Sequence, residues 1–352
     1  RVFNWMDKYF MINLINKSCE VSSLESAFMD KSKTAYPNYQ KFEDKNNLAI
    51  YQLAGYNNIL LQLGLPIERL LENFYTSYLS EEFCYTGLPI RLPKVEDGWL
   101  EKCRIIFPEL DNIARQYDTF VKEDEIDSEY LAMLPPQKMS EAKSLLMNKY
   151  YEINESNSTI KQVLFYLFAS ASLLYNVAPY KHKKYHSLVE LIIHESVGYD
   201  QYISYQKSKI DFLIENRMLK IDDEGKLRFT SVNILPALKE IWEFGSCSYW
   251  HYDKDARNGL DELLELGLLV TDDHLLTKNE RGYFSYYTDN SEYTNGYAYR
   301  NLYAHGCTPQ ANDDNAHAIA YFSMLRLLII LMLKIRDDLW LARRILATEM
   351  CV

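Results

Sequence analysis

The amino-acid sequence predicts a mainly α protein that carries a small α+β part shortly before its C-terminal helices. Apolar residues recur every three to four positions through most of the chain, which is the spacing of amphipathic helices. Prolines and glycines interrupt these stretches and predict loops. Between residues 206 and 290 the pattern changes, because helical stretches there lead into short segments with Asp-rich turns, which is typical of β-hairpins.

Residues 1–135 are predicted to form an N-terminal helical region. Two helices are expected within residues 40–78, separated at Gly64 and Pro66, because proline fits the first turn of a helix and not its interior. The next apolar stretch predicts a helix over residues 99–122. An activating ligand or a regulatory partner protein could bind this region, although no ligand motif is legible in it.

Residues 136–205 are predicted to contribute helices to a bundle. Residues 140–153 and 158–177 have the pattern of a helix pair, and residues 188–205 that of a further helix. Residues 181–186 form the most basic patch of the chain. This patch fits a contact with RNA phosphate or a solvated charge cluster, and the second interpretation is slightly favoured.

Residues 206–290 contain two similar stretches, 210–223 and 260–273, each an acidic amphipathic helix that leads into a strand and a turn. At a constant offset of fifty residues they share the pairs Asp211/Asp261, Leu213/Leu263, Glu215/Glu265, Leu219/Leu269, Asp222/Asp272 and Asp223/Asp273. We therefore predict a tandem repeat of winged-helix-like units, each a helix, strand, turn and strand. Because both helices are acidic, phosphate contact is disfavoured and a scaffolding or protein-contact role is expected.

Residues 291–352 are predicted to hold a short helix that ends near Gly306, a polar turn and a long apolar helix from Asp314. Glycine is favoured after the last helical residue, where the backbone turns left-handed. The long helix is apolar nearly all round in its middle, which predicts burial in a bundle or at a dimer interface. A last short helix is expected at residues 339–347.

Composition and charge exclude several classes of protein. The 352 residues carry 38 basic and 49 acidic side chains, a net charge of −11, which argues against a broad electrostatic grip on nucleic acid but allows a small basic site. The six cysteines are scattered without a C-x-x-C pair, which is typical of reduced, intracellular thiols. The longest uncharged apolar run, residues 327–333, is far shorter than the roughly 20 residues of a membrane span, so we expect a cytoplasmic protein without a membrane partner. Motifs of common enzymes such as the P-loop, G-x-S-x-G and H-E-x-x-H do not occur in the sequence.

Arg300, Asn301 and His305 form the pattern R-N-x-x-x-H, which carries the candidate chemistry. On a helix with about 100° per residue, Asn301 and His305 share a face, while Arg300 lies about 140° from His305. An arginine that stays charged can stabilise phosphate oxygens, and a histidine that titrates near neutral pH can move a proton. The pattern therefore indicates proton transfer beside a phosphate.

This segment resembles the R-x(4–6)-H motif of HEPN domains, in the R-N-x-x-x-H form of their ribonuclease members. Those members include toxins of toxin–antitoxin pairs, abortive-infection proteins and the RNA-cutting domains of CRISPR effectors. The resemblance covers residues 300–305, and the following glycine, polar turn and long apolar helix fit the family's helical bundle. It implies a metal-independent endoribonuclease without a cofactor, an antiphage-defence or toxin effector, and a homodimer that pairs two motifs. Residues 136–205 would then supply the first two helices of the bundle, with residues 206–290 as an insertion.

Cleavage of RNA requires removal of the 2′-OH proton, stabilisation of charge on the phosphoryl oxygens and help for the leaving 5′-oxygen. His305 suits the first or third task and Arg300 the second, while Asn301 could orient the histidine or bind phosphate. The candidate substrate-binding residues are Tyr299, Tyr303 and His317. Of these, Tyr303 could stack on a base or support the site, and His317 could lie beside the motif or be a capping or surface histidine.

A second class of protein fits the same residues: a non-catalytic helical scaffold or regulator with winged-helix units, binding a protein or nucleic-acid partner. In that class Arg300 and His305 would cap carbonyls at a helix end and satisfy its dipole. Asn301 favours the ribonuclease, because it completes the nuclease form of the motif. A DNA-binding transcription regulator is disfavoured by the acidic helices and the net charge.

Overall fold

The computed structural model of the protein describes residues 3, 5–8, 10–21, 25, 32, 34–133, 139–304 and 313–349. The chain divides into two compact units. Residues 1–149 and 273–352 belong to unit 1, and residues 150–272 form unit 2. The structure is mainly helical, which confirms the predicted mainly α class.

The helices and strands have the following bounds. The α-helices in the described ranges are α1 (Gln40–Gln62), α2 (Ile67–Asn73), α3 (Leu79–Phe83), α4 (Trp99–Glu123), α5 (Ser128–Met133), α6 (Ser158–Phe168), α7 (Leu188–His194), α8 (Ser204–Glu215), α9 (Leu235–Phe244), α10 (Lys254–Glu265), α11 (Lys278–Thr288), α12 (Tyr299–Ala304) and α13 (Asp314–Glu349). The strands are β1 (Asp7–Lys8), β2 (Met11–Ile12), β3 (Tyr150–Ile153), β4 (Leu219–Ile221), β5 (Leu227–Phe229), β6 (Ser246–Ser248) and β7 (Leu269–Asp272). They form the antiparallel pairs β1–β2 and β4–β5 and one three-stranded sheet in the order β6–β3–β7.

Unit 1 is organised around the long helix α13, against which α4 and α1 pack. Residues 320–332 of α13 are all buried, as the apolar sequence predicts. The helix is long and apolar enough to cross a membrane by length and composition alone, a test that core helices of soluble proteins also pass. In this structure 83% of its most apolar window is buried inside the protein.

Helix α13 continues through Asp337 and Asp338, so the separate short helix predicted at 339–347 is wrong. The reason is that Asp338 is fully buried and acts as the acceptor of a polar network rather than as a helix cap. Its carboxylate accepts hydrogen bonds from Tyr117 Oη at 2.5 Å and Ser144 Oγ at 2.6 Å. It also pairs with the ammonium of Lys149, likewise fully buried, at 2.6 Å.

The predicted helix at 140–153 is also wrong. Its last residues, Tyr150–Ile153, form strand β3, which pairs with β6 on one side and β7 on the other. Tyr150 and Tyr151 are buried, and aromatic residues suit a strand that is covered on both edges. The helix predicted at 188–205 is interrupted as well, because α7 ends at His194 and residues 197–199 bond to residues 225–227 before a short 3-10 helix begins at Tyr199.

Unit 2 contains the predicted fifty-residue repeat, and the repeat is longer than the matching letters indicate. Helices α7, α8 and strand β4 recur as α9, α10 and strand β7 at the same offset. In the first copy, β4 and β5 form a two-stranded sheet, and an isolated bridge joins Gly198 to Lys226 just before β5. In the second copy, β6, β3 and β7 form a three-stranded sheet. The partner of β7 is therefore β3, from the start of the unit, and not a strand that follows β7 in the chain, as the helix, strand, turn and strand pattern predicts.

The predicted domain boundaries differ from the observed ones. Helices α6 and α7 share one hydrophobic core with α8, α9 and α10, so residues 158–205 belong with the repeat. They were predicted to join the C-terminal helices in a bundle. Residues 273–290, predicted to close the repeat, belong to unit 1, where they form α11.

Candidate functional site

Arg300 and Asn301 lie on the short helix α12, which packs against α4 in unit 1. The Arg300 Nε atom is 3.0 Å from Oδ2 of Asp111 on α4, and the arginine side chain is 38% exposed. Asn301 donates from Nδ2 to Oδ1 of Asn290 at 3.1 Å. The arginine is thus oriented by an acidic partner, and the asparagine is engaged by a loop residue.

His305 lies outside the described residues, as does Gly306. The distance between the two motif side chains therefore stays a prediction. Cys307, which follows them, also lies outside the described ranges.

A small polar cleft of about 20 Å³, room for one water molecule, opens beside Arg300 and Asp111. A second guanidinium, that of Arg281 on α11, lines it, together with the Asp289 carboxylate. Three hydroxyl-bearing residues and two apolar residues complete the lining: Ser140, Ser285, Thr288, Met139 and Phe284. Two guanidinium groups, two carboxylates and several hydroxyls at one cleft can hold a water molecule and move a proton.

Burial raises the pKa of the Asp111 carboxyl above its usual value, and the nearby Asp289 carboxylate adds to that rise. Arg300 and Arg115 act in the opposite direction, because their positive charges favour the ionised carboxylate. Arg115 is one helical turn beyond Asp111 on α4, and its Nε atom is buried without a hydrogen-bond partner among the described atoms. Arg115 therefore adds a positive charge near Asp111 besides that of Arg300.

Tyr303 and Tyr299 are buried, at 6% and 9% exposure, and lack the open ring face that base stacking needs. The Tyr303 ring stacks on Phe107 of α4, with centroids 4.9 Å apart and planes 12° from parallel. Its hydroxyl is 2.9 Å from Nδ1 of His317 on α13. Tyr303 thus connects α12 to α4 through Phe107 and to α13 through His317. These contacts are those of a residue that positions the helix.

His317 is fully buried and is neither a surface histidine nor a cap. Its backbone oxygen accepts a hydrogen bond from Cys103 Sγ at 3.2 Å, and its Nε2 atom has no hydrogen-bond partner in the described part of the chain. Burial raises the pKa of Cys103 to about 12, so this thiol stays protonated and is not a nucleophile.

An aromatic stack connects α12 to a buried cation on α13. The ring of Tyr299 stacks on Tyr297 with centroids 5.0 Å apart, and Tyr297 stacks on Tyr287 at 5.3 Å. The guanidinium of Arg326, fully buried, lies 4.7 Å from the centre of the Tyr287 ring. This stack therefore helps to hold the motif helix in place.

Sequence reasoning missed Asp111, Arg115 and Arg281. Asp111 and Arg115 are four residues apart on a predicted helix, an acid–base spacing that the sequence does display. That spacing predicts an ion pair between Asp111 and Arg115 on the helix surface. It does not indicate that Asp111 lies beside Arg300, which is 185 positions after Arg115 in the chain. No sequence pattern points to Arg281, because the sequence predicts that residues 273–290 belong to the repeat and not to the unit that holds Arg300.

Comparison of the chain with protein-family models, with curated proteins and with solved structures finds no match.

Proposed function

We propose that this protein is a metal-independent endoribonuclease of the HEPN type, acting through Arg300 and His305 as an antiphage-defence or toxin effector. The observation that carries the proposal is the setting of Arg300. Its guanidinium is partly exposed beside a polar cleft that holds a second arginine, and it is not sequestered in the hydrophobic core. A charged, accessible and oriented guanidinium is what the stabilisation of a phosphoryl transition state requires.

The ion pair with Asp111 is compatible with this role. A guanidinium has five N–H donors in a rigid fork, and the 3.0 Å contact to Asp111 engages the Nε side. The pair therefore fixes the direction of the side chain and leaves the terminal donors for a phosphate. Asp111 is a positioning residue in this account, and Arg281 supplies a second positive charge for the RNA backbone.

His305 would take the proton from the 2′-OH or give one to the leaving 5′-oxygen. Asn301, already hydrogen-bonded to Asn290, would hold the end of the helix in register. The resemblance to HEPN ribonucleases implies that two copies of the chain pair their motifs, so the active species would be a homodimer in the cytoplasm. No cofactor is part of the proposal.

The non-catalytic scaffold remains the second candidate, and one observation favours it. Tyr299, Tyr303 and His317, predicted to meet the substrate, are packed in the core. In that case Arg300 would serve only to join α12 to α4 through Asp111. A protein partner would then bind elsewhere, for example on the acidic helices of the repeat.

The test is cleavage of end-labelled RNA in EDTA by the wild type and by Arg300→Ala, His305→Ala and Arg281→Ala variants. We expect cutting by the wild type that leaves 2′,3′-cyclic phosphate ends, a loss of at least about a hundredfold in the first two variants and a smaller loss in the third. Arg104→Ala is the matched control, since Arg104 is an exposed arginine on α4 that pairs only with Glu101 among the described residues.

Equal cutting by all variants would assign the activity to a contaminant or another site and end the proposal. Intact RNA with every protein, both in vitro against total cellular RNA and in cells that express the chain, would favour the scaffold.

A further inference from the structure

An apolar pocket of about 80 Å³ lies within unit 2, between the end of the first repeat and helix α10 of the second. Its walls are formed mainly by Leu167, Met218, Phe229, Leu235 and Leu263. An apolar cavity of roughly 150 Å³ accommodates benzene, so this pocket has room for a branched group of about four carbon atoms. The site proposed for RNA belongs to unit 1, so this pocket is independent of it.

Two opposite charges line the same pocket. Arg217 follows the end of α8, and Glu262 lies on α10. Both residues are exposed. The described salt bridges of unit 2 join other residues, so Arg217 and Glu262 form no ion pair with each other or with another side chain in the described part of this unit. A cation and an anion at the edge of one apolar cavity are suited to a ligand that carries both a positive and a negative charge.

The backbone at Arg217 is the second feature that distinguishes this position. Arg217 has φ +59°, in the left-handed region that glycine adopts without strain. Helix α8 ends with two backbone hydrogen bonds, from Arg217 N to Ile214 O and from Met218 N to Leu213 O. This pair of hydrogen bonds is the Schellman motif, which usually has glycine at the position of Arg217.

The second repeat has that glycine. Helix α10 ends with the equivalent bonds, from Gly267 N to Leu264 O and from Leu268 N to Leu263 O, and Gly267 has φ +67°. The same turn therefore exists twice in the chain, once with glycine and once with a strained arginine. Left-handed residues other than glycine also follow α3 and α4, at Cys84 and Asp124, so the support for a role of the Arg217 side chain comes from the contrast between the two copies of this turn together with its place at the pocket.

We propose that this pocket binds a free aliphatic α-amino acid of the size of leucine or isoleucine. The branched side chain fills the apolar cavity, the carboxylate meets the Arg217 guanidinium, and the ammonium meets the Glu262 carboxylate. The charge pattern selects a zwitterion over a fatty acid or an amine, and the volume selects a four-carbon side chain over an aromatic one.

The corresponding place in the first repeat cannot form such a site. At the fifty-residue offset, Phe212 stands where Glu262 is, and its ring packs edge-on against Tyr166 at 5.7 Å. Lys209 stands in place of Gly259. A side chain at Gly259 would meet Ile234, because a Cβ built there lies 3.0 Å from Ile234 Cδ1, so the wall of the pocket depends on this glycine.

Calorimetry and ligand-detected NMR on the full chain test the proposal with L-leucine as the probe. We expect a dissociation constant of about 1 mM or tighter. Binding should be at least about tenfold weaker for 4-methylpentanoate, which lacks the ammonium, and for 3-methylbutylamine, which lacks the carboxylate.

Arg217→Gly is the decisive variant, because a loss of binding cannot be blamed on unfolding. Glycine suits the left-handed backbone, so the melting temperature should equal or exceed that of the wild type while leucine affinity falls at least about tenfold. Glu262→Gln should also weaken leucine binding, with little effect on 4-methylpentanoate. Arg228→Ala, which changes an exposed arginine of β5 away from the pocket, should bind leucine as the wild type does.

Three results would overturn the proposal. The first is no leucine, isoleucine or methionine binding by the wild type at about 10 mM, a concentration that would detect the weakest affinity the proposal allows. The second is unchanged leucine binding by Arg217→Gly. The third is equally tight binding of 3-methylbutan-1-ol, which would define a purely apolar pocket with no zwitterion site.

Discussion

Asp7 is an unusual carboxylate, and its titration gives the sharpest prediction about the fold. Its side chain is 8% exposed and lies 3.9 Å from the buried ammonium of Lys334. That ammonium is closer to Glu280, at 2.6 Å, and Asp7 Oδ1 has no hydrogen-bond partner within the described chain. Burial raises the pKa of Asp7 from 3.8 to about 6; Lys334 opposes the rise, and Glu280 and Asp337 add to it.

The raised pKa converts to a free energy with a definite sign. Between about pH 4 and pH 6 the folded protein keeps a proton on Asp7 that the unfolded chain has released, so stability falls as the pH rises through this window. Below it, both states are protonated and Asp7 contributes no difference. Each pKa unit corresponds to about 1.4 kcal/mol, so the ionised carboxylate costs about 3 kcal/mol above pH 6.

Asp7→Asn removes this titration while it keeps the shape of the side chain. We expect the variant to match the wild type in stability near pH 4 and to be more stable by about 3 kcal/mol at pH 7.5. Urea unfolding at a series of pH values measures the difference, and hydrogen exchange of the buried α13 amides assigns it to unit 1. Asp44→Asn, at an exposed position of α1, is the control and should show no such divergence.

Parallel stability curves for Asp7→Asn and the wild type from pH 4 to 7.5 would refute the reasoning. A variant that becomes less stable than the wild type as the pH rises would show that Lys334 compensates for the burial of the carboxylate more than the structure indicates.

Three further outcomes follow from the contacts in unit 1. Lys149→Met should cost about 3–5 kcal/mol in urea unfolding, because it leaves the buried Asp338 charge without its cation. Lys149→Met combined with Asp338→Asn should recover part of that loss, because the neutral amide needs no cation and its oxygen can still accept a hydrogen bond from Tyr117 or Ser144; a double variant as weak as the single one would contradict this account. Tyr303→Phe should cost about 1–3 kcal/mol, since it strips the only hydrogen bond described for the His317 ring, and an unchanged unfolding midpoint would argue against that bond. Asp111→Asn should alter stability by no more than about 1 kcal/mol, because the ion pair is partly exposed, yet it should lower RNA cleavage if the carboxylate positions the arginine.

The helical class and the repeat were accessible to sequence reasoning because both depend on local patterns. Apolar spacing predicts α13 and its burial, and identical residues at a fixed offset predict the two copies in unit 2. Helix α4 runs from Trp99 to Glu123 with Pro108 inside it, close to the predicted bounds. These features need no knowledge of distant partners.

The errors arise where a distant partner decides the local structure. Residues 150–153 form a strand because β6 and β7, about a hundred residues away, provide both of its neighbours. Asp338 interrupts no helix because Lys149 neutralises it from 189 positions away. Propensity is a weak prior under such tertiary contacts.

At the candidate site, too, the local pattern could be predicted from the sequence and the distant contacts could not. The R-N-x-x-x-H pattern identifies Arg300, and the partial exposure of its side chain is compatible with a phosphate contact. The pattern gives no information about Asp111, the residue that Arg300 contacts. Tyr303 is the clearest example, because a tyrosine that packs in the core and one that stacks on a base have the same sequence signature. In this structure Phe107 stacks on the face of the Tyr303 ring, so this tyrosine packs in the core.

The most direct test of the central claim is a double-variant cycle on RNA cleavage in EDTA, with single-turnover rates for the wild type, Arg300→Ala, His305→Ala and the double variant. If both side chains act on one phosphoryl transfer, their effects are strongly non-additive, so the double variant should be no slower than the slower single variant. Each single variant should also lose the 2′,3′-cyclic phosphate product. Wild-type rates in either single variant, or losses that simply multiply in the double variant, would contradict a composite Arg300–His305 site.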